Sequence, residues 1–122
     1  MAVLDTEQDQ FVCDGITVVE LDGEIDIATA EEAFTRITTA AADSCVVVDL
    51  SAVDFIDASG VNALVRALRA AMRTQHHLLL ACPPRQLSRI LDVLGLIEVL
   101  PTHADVAAAV AVHEEVGQGA AH

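Results

Sequence analysis

The spacing of apolar residues changes several times along this chain, and each change predicts a strand, a turn or a helix. Near the N-terminus, the apolar runs Phe11–Cys13 and Ile16–Leu21 flank the pair Asp14-Gly15. An Asp-Gly pair between two apolar runs is typical of a two-residue hairpin, because both turn positions require a positive φ. The sequence therefore predicts that the sheet begins with an antiparallel pair of strands.

A helix is predicted after this hairpin, and a buried strand follows the helix. Thr29 and Glu32 have the spacing of a capping box, which marks a helix N-terminus. The apolar face that follows at helical spacing comprises Ala33, Phe34, Ile37 and Ala41. Cys45–Leu50 is then apolar except for Asp49, a pattern that favours a central strand covered on both faces.

The most regular helical pattern follows Ser59. Its apolar positions, at i, i+3, i+4, i+7 and i+11, are Val61, Leu64, Val65, Leu68 and Met72. Three arginines line the opposite side, so the pattern indicates a helix with one face on a sheet. Leu78–Cys82 is the next apolar run and predicts a second buried strand. Together, these segments predict a right-handed strand–helix–strand crossover.

The last third of the sequence predicts two more helices and a short strand. Pro83-Pro84 precedes a helical apolar stripe, and Gly95 is a natural C-terminal cap for that helix. Leu96–Leu100 predicts a short strand. Thr102 is expected to cap a final helix that extends to about Glu115.

The predicted order of elements is β-β-α-β-α-β-α-β-α, which defines an α/β fold. We expect a mixed, mostly parallel sheet that is opened by the antiparallel hairpin and covered by about four helices. No linker or internal repeat interrupts the 122 residues, so 1–122 is predicted to be a single domain with its core at about 11–115. Residues 1–9 and 117–122 are expected to be flexible.

Composition and charge exclude several classes of partner. The chain has a formal net charge of −13 and only 2% aromatic residues, which argues against binding to a phosphate backbone and against stacking on bases. No apolar run is long enough to span a bilayer, and the N-terminus lacks the features of a signal peptide. We therefore expect a cytoplasmic protein that binds neither nucleic acid nor membrane.

Cysteine and histidine positions predict no metal site. Cys13, Cys45 and Cys82 lie far apart in apolar, strand-like segments without the spacing of a zinc site, and they are expected to be buried, reduced thiols. The five histidines are expected in turns and on the surface. An acidic cluster near residue 24 suggests a calcium loop, but Ile27 and Ala33 stand where that loop requires Gly and Glu.

Several enzyme classes are also disfavoured. All six basic residues other than histidine are arginine, whereas a phospho-aspartate receiver and a Walker nucleotide loop both require lysine. A serine hydrolase requires Gly-x-Ser-x-Gly, but Asp57 stands where the first glycine would be. We therefore expect no enzymatic activity and no cofactor.

The segment Val46–Gly60 carries the strongest candidate for function. A buried strand is predicted to end in an apolar loop, which leads into Asp57-Ala58-Ser59-Gly60 at the first turn of a helix. A serine there is accessible, and the free backbone N–H groups of the turn favour a bound anion such as a phosphate. The same pattern also fits an ordinary helix start that is capped by Asp57 or Ser59. Gly60 allows another backbone segment to approach closely.

This segment closely resembles the core motif of the STAS family, the bacterial anti-sigma factor antagonists. The predicted order of elements also resembles the STAS fold, from about Phe11 to Glu115. In that family the serine directly before the glycine is the phosphorylation switch, so the resemblance implies that Ser59 is phosphorylated. Ala58 departs from the pattern, since many relatives have a second serine there, and leaves Ser59 as the single hydroxyl acceptor.

The resemblance also implies a surface for a protein partner. Gly23–Ala30 is similar to the first conserved loop of the family, which lies beside the phosphorylation site and contributes to the partner surface. The residues expected to form this surface are Asp26, Asp57, Ala58, Ser59, Gly60 and Asn62.

By this resemblance the chain is expected to act as an anti-sigma factor antagonist. It would bind an anti-sigma factor with serine kinase activity while Ser59 is unphosphorylated, and so release a sigma factor for transcription. Phosphorylation of Ser59 by that kinase would end the complex, and a serine phosphatase would restore it. The alternative is a ligand-binding or complex-scaffolding module of the same fold, such as a lipid-transport subunit, that is not regulated at Ser59.

Overall fold

Runs of valine, isoleucine and leucine form the strands of one sheet, and the amphipathic segments between them form helices. A computed structural model describes residues 15–120, with side chains described as far as Glu114. The elements in chain order are β1 (Ile16–Ile25), α1 (Ala30–Ala41), β2 (Cys45–Ile56), α2 (Ala58–Arg73), β3 (Leu78–Ala81), α3 (Arg85–Leu94), β4 (Thr102–His103) and α4 (Val106–Ala120). Among these residues, no helix is both long and apolar enough to cross a bilayer.

The four described strands pair in parallel in the order β1-β2-β3-β4. Each pair of neighbouring strands is joined by a helix, which confirms the predicted α/β fold. The strand expected at Phe11–Cys13, and with it the antiparallel hairpin, lies outside the described residues. The opening of the sheet by a hairpin therefore stays a prediction.

The first half of β2 is buried on both faces, as its apolar run predicts. Val46, Val47 and Val48 are at most 1% exposed, and successive side chains of a strand point to opposite faces. Val46 and Val48 belong to the main core, which also takes the buried side chains of α1, α2 and α3. Val47 belongs to a smaller cluster with Ala109 of α4. The sheet thus lies between three helices on one side and α4 on the other.

The predicted loop after Leu50 is wrong, because β2 continues to Ile56. Val53 and Ile56 are buried while the residues between them are exposed. The register of β1 against β2 shifts after Glu20 and again after Gly23, whose φ is 69°. These irregularities let pairing continue although the simple alternation of apolar residues is lost. The carboxyl ends of β1 and β2 therefore lie side by side.

The predicted strand at Leu96–Leu100 is also wrong. Gly95 ends α3 with a φ of 71°, as its predicted role as a C-terminal cap requires. The Leu96 N–H then donates to the Leu91 carbonyl (2.8 Å), and the Leu100 N–H donates to the Leu96 carbonyl (3.0 Å). These local hydrogen bonds coil the segment into turns, so the last strand forms only at residues 102–103.

Both threonines predicted to cap helices have other roles. The Thr29 hydroxyl donates to the Glu24 carbonyl (2.7 Å) and makes no capping bond to α1. Thr102 lies in β4, and α4 is capped instead by Asp105, whose Oδ1 accepts from the Ala108 N–H (2.8 Å). In the first case the threonine hydroxyl bonds to a backbone carbonyl instead of the helix. In the second case an aspartate carboxylate caps the helix in place of the threonine.

The expectations for cysteines and histidines need correction at two positions. Cys45 is disulfide-bonded, so it is not a reduced thiol, whereas Cys82 is free. His113 is buried rather than on the surface, and its ring packs edge-on against His77 with centroids 5.2 Å apart. Loss of hydration on burial lowers the pKa of both histidines.

Candidate functional site

Ser59 is the second residue of α2 and is half-buried at the carboxyl end of β2. Within residues 15–120 its hydroxyl has no hydrogen-bond partner. The first backbone N–H groups of a helix have no intrahelical acceptor, and the helix dipole adds partial positive charge there. The Ser59 hydroxyl is therefore available for modification at a point that accommodates an added anion.

Asp57, not Ser59, caps α2. Asp57 has an extended backbone (φ −116°, ψ −169°), and its Oδ1 accepts from the Gly60 N–H at 3.1 Å. This contact decides between the two caps that the sequence left open. Because the carboxylate of Asp57 takes the structural role, the hydroxyl of Ser59 is not needed to start the helix.

Two substitutions at Asp57 distinguish the effect of its capping hydrogen bond from the effect of its negative charge. Asp57→Ala is expected to lower the free energy of unfolding by about 1 kcal/mol, because the Gly60 N–H loses its acceptor. Asp57→Asn should retain most of that stability, since asparagine caps as well as aspartate. Urea unfolding monitored by circular dichroism measures both changes. An equal loss in the two variants would contradict the capping role.

Gly60 lies where α2 meets the end of β1, and no larger residue fits there. A Cβ built on Gly60 would be 2.6 Å from the Ile25 carbonyl oxygen and 2.6 Å from Cγ1 of Ile56. In addition, the Asp57 N–H donates to the same Ile25 carbonyl at 3.3 Å. The predicted close approach of another backbone segment is thus confirmed, and it fixes Ser59 relative to the loop after β1.

Asp26 begins that loop and organises it through its side chain. Its Oδ1 accepts from the N–H groups of Ala28 (2.9 Å) and Thr29 (3.2 Å), while its backbone carbonyl accepts from Ala30 (2.8 Å). The resulting turn leaves Ile27 83% exposed. Since Ile25 pairs with Ile56 across the sheet, the Asp26 loop and the start of α2 leave the sheet at the same edge.

A substitution at Asp26 should therefore affect the fold as well as any partner. Asp26→Ala is expected to lower the free energy of unfolding by about 1 kcal/mol, because the Ala28 N–H loses its acceptor and the Thr29 N–H keeps only the Asp26 backbone carbonyl. Asp22→Ala is the matched control, since Asp22 is exposed on β1, and it should change stability by less than about 0.5 kcal/mol. Chemical denaturation of both variants gives the comparison. Equal effects would show that the Asp26 turn is not stabilising.

The remaining predicted site residues lie on the same part of α2. Ala58 is exposed beside Ser59, and Asn62 is exposed three residues later, which places it on the same side of the helix as Ser59. The Arg66 side chain contacts α1 instead. Its Nη2 is 2.7 Å from the Glu31 carboxylate, and its guanidinium lies over the Phe34 ring, so it joins α2 to α1.

Sequence reasoning missed a groove next to this site. The groove has a volume of about 410 Å³ and is lined by residues 55–58 and by Arg85, Gln86, Arg89 and Ile90 of α3. Neither Arg85 nor Arg89 has an ion-pair partner in the described part of the chain. The spacing of the two arginines is visible in the sequence, but nothing in the sequence indicated that this face of α3 would meet the start of α2.

The comparisons with known proteins agree with this fold. A family model described as the STAS domain matches residues 11–109. The chain therefore belongs to the STAS domain family, as its core motif predicted. No protein with a curated description matches it.

Solved structures with the same fold include an anti-sigma factor antagonist, a cell fate determinant and a sulfate transporter family protein. An anti-sigma factor antagonist from Mycobacterium paratuberculosis is 28% identical with a TM-score of 0.67, covering 81% of this chain and 86% of that one. The phosphorylated form of the Bacillus cell fate determinant SpoIIAA is 21% identical with a TM-score of 0.62, covering 80% and 90%. A sulfate transporter family protein from Wolinella succinogenes is 20% identical with a TM-score of 0.72, covering 88% and 91%.

Proposed function

We propose that this chain is an anti-sigma factor antagonist whose complex with an anti-sigma factor is controlled by phosphorylation of Ser59. The observation that carries the proposal is the position of the Ser59 hydroxyl, which is half-buried at the second residue of α2 and makes no hydrogen bond within the described part of the chain. A second support is the 28% identical structure, which is described as an anti-sigma factor antagonist. The partner expected from this likeness is an anti-sigma factor.

The surface around Ser59 suits a protein partner that is sensitive to charge. Exposed apolar side chains flank it, with Ile27 83% and Phe55 41% exposed, and such groups stabilise an interface when they are buried. Asp57 contributes a carboxylate at the same helix start. An unmodified Ser59 can be covered by a partner at little cost, because a neutral hydroxyl is easily desolvated.

Phosphorylation changes this surface without a need to unfold it. A phosphate adds about −1.5 to −2 charges and three acceptor oxygens. At the N-terminus of α2 the helix dipole tolerates that charge, whereas in an interface it must be desolvated next to Asp57. A penalty of about 3 kcal/mol weakens binding more than about 100-fold. Phosphorylation therefore acts as a release switch.

In this scheme the chain is a ligand and a substrate rather than an enzyme. The anti-sigma factor carries a serine kinase activity that transfers phosphate to Ser59, and a separate serine phosphatase removes it. The unphosphorylated chain sequesters the anti-sigma factor in the cytoplasm, which frees a sigma factor for transcription. The kinase takes the phosphate from ATP, and the chain itself is expected to need no cofactor.

Affinity capture with four baits tests the proposal. The baits are the wild-type chain, Ser59→Ala, Ser59→Asp and Thr35→Asp, a matched control with a new carboxylate at an exposed hydroxyl of α1. Mass spectrometry of proteins retained from a lysate of the source cells should find a kinase-like anti-sigma factor on every bait except Ser59→Asp. Incubation of the recovered partner with ATP should phosphorylate the wild-type chain but not Ser59→Ala.

The second candidate function is a ligand-binding or scaffolding module that is not regulated at Ser59. The groove between residues 55–58 and α3 favours it, because an apolar floor with two unpaired arginines fits a small amphipathic anion. The likeness to a sulfate transporter family protein shows that the fold also occurs in transport proteins. Retention of the same transport-related partner by all four baits would favour this candidate and contradict the switch.

A further inference from the structure

Three side chains with metal-ligating atoms meet at the edge of the sheet opposite Ser59. Cys45 is the first residue of β2, His77 immediately precedes β3, and His113 lies on α4. The strand register pairs Val46 with Leu78, which sets Cys45 beside His77. The Cys45 sulfur and one nitrogen of each imidazole all lie within 4.8 Å of one another.

The distance between Cys45 and His77 matches that expected for two ligands of a tetrahedral ion. Cys45 Sγ is 3.6 Å from His77 Nδ1. With Zn–S near 2.3 Å and Zn–N near 2.0 Å, two ligands of a tetrahedral zinc ion are about 3.5 Å apart. The His77 backbone N–H also donates to Cys45 Sγ at 3.1 Å, the kind of contact that stabilises a metal-bound thiolate.

His113 provides an independent indication of a ligand. Its side chain is only 8% exposed, and both ring nitrogens are buried without a hydrogen-bond partner among the described residues. An unsatisfied buried polar group costs about 1–3 kcal/mol, so native structures seldom retain one without a reason. The ring packs edge-on against His77, with an angle of 76° between the two planes. A metal ion between them would give His113 the partner that it lacks.

The disulfide at Cys45 decides when such an ion can bind. A thiolate is the metal-binding form of cysteine, and Cys45 is disulfide-bonded in this structure. We propose that reduction of this disulfide opens a Zn²⁺ site formed by Cys45, His77 and His113. A water molecule completes the tetrahedron.

The reaction balances with a dithiol as the reductant. The dithiol supplies two electrons and two protons, the disulfide becomes two thiols, and the dithiol becomes a disulfide. Zn²⁺ then displaces the proton of the Cys45 thiol, which passes to solvent, and each imidazole donates the lone pair of one ring nitrogen. Sulfur and imidazole donors favour Zn²⁺ over Mg²⁺ or Ca²⁺, which require oxygen ligands.

The site would join α4 to the central strands. α4 otherwise contacts this face of the sheet through a small cluster formed by Val47, Ala81 and Ala109. Ligands from β2, from the start of β3 and from α4 would cross-link all three elements. Metal binding is then coupled to folding, because only the folded chain brings the ligands together.

Cobalt binding to the full-length chain tests the proposal. Co²⁺ replaces Zn²⁺ at such sites, and a cobalt–thiolate bond has its own charge-transfer absorption band. The chain, reduced with a phosphine and then freed of it, should bind one Co²⁺ with that band, and Zn²⁺ should displace it. The oxidised chain should show no band. Zn²⁺ should also raise the melting temperature of the reduced chain only.

Single substitutions test which side chains bind the metal ion. Cys82→Ser is the matched control, because Cys82 is a free thiol on another part of the sheet, and it should bind Co²⁺ like the wild-type chain. Cys45→Ser should lose the thiolate band, and His113→Gln should weaken binding by more than about 100-fold. If Cys45→Ser does not fold, His113→Gln decides in its place.

Three results would overturn the site. The first is the absence of Co²⁺ binding by a reduced chain that circular dichroism shows to be folded. The second is equal loss of the band in Cys82→Ser and Cys45→Ser. The third is an unchanged affinity in His113→Gln.

Discussion

Ser59→Asp is expected to weaken binding of the anti-sigma factor partner by more than about 100-fold. The substitution places a permanent carboxylate at the second residue of α2, next to the Asp57 carboxylate. In a covered interface this charge must lose its hydration, and the expected loss of about 3 kcal/mol corresponds to that change in affinity. Isothermal titration calorimetry with the purified partner measures it directly.

The fold itself should tolerate the same substitution. The helix dipole favours a negative side chain in the first turn, and the Ser59 hydroxyl has no hydrogen bond to lose within residues 15–120. The free energy of unfolding should therefore stay within about 0.5 kcal/mol of the wild-type value. Ser59→Ala should keep both stability and affinity. An unfolded Ser59→Asp chain, or equal affinity of both variants, would contradict the release switch.

Gly60→Ala is expected to destabilise the domain by about 3 kcal/mol. The new Cβ would lie 2.6 Å from the Ile25 carbonyl oxygen and 2.6 Å from Cγ1 of Ile56, distances at which the backbone of α2 or β1 must move. Overpacking of this kind typically costs about 1–3 kcal/mol, and a backbone atom cannot rotate away as a side chain can. Thermal and urea unfolding give the size of the loss.

Gly15→Ala is the control for Gly60→Ala. A Cβ on Gly15 meets nothing within 4 Å, and Gly15 does not have a positive φ. Its stability should change by less than about 0.5 kcal/mol. Similar losses at both glycines would contradict the contact with Ile25 as the cause, because the effect of Gly→Ala on the unfolded chain is stabilising at both positions.

Elements with local signals could be predicted from the sequence. α2 is the clearest example, because its apolar stripe and its Asp57 cap both lie within the helix or next to it. The burial of the first half of β2 on both faces followed from its uninterrupted apolar run. Gly95 marked the end of α3 for a similarly local reason, the need for a positive φ.

Elements that depend on a distant partner were predicted less well. Residues 51–56 have no simple alternation, so their strand is visible only when β1 lies beside them with two register shifts. β4 is two residues long and exists because Leu80 and Cys82 donate to the carbonyls of Pro101 and His103.

The candidate site also contains some residues that a local motif predicted and others that only the fold brings together. Ser59 and Gly60 were found from a continuous motif, and the fold places the Asp26 loop at the same edge of the sheet. The groove beside α3 and the Cys45–His77–His113 cluster each combine residues from separate elements. Their spacing along the chain carries no signal, since folding alone determines which of these side chains meet.

The tight contact of Gly60 with Ile25 and Ile56 has a kinetic consequence. Because the start of α2 is closely packed, it has a single arrangement. A phosphate on Ser59 therefore cannot shift the chain to a second position of α2. In the proposed switch, both forms of the chain would then present the same backbone, and a partner would bind either one without waiting for a rearrangement. The response time would be set by the kinase, the phosphatase and the dissociation rate of the complex.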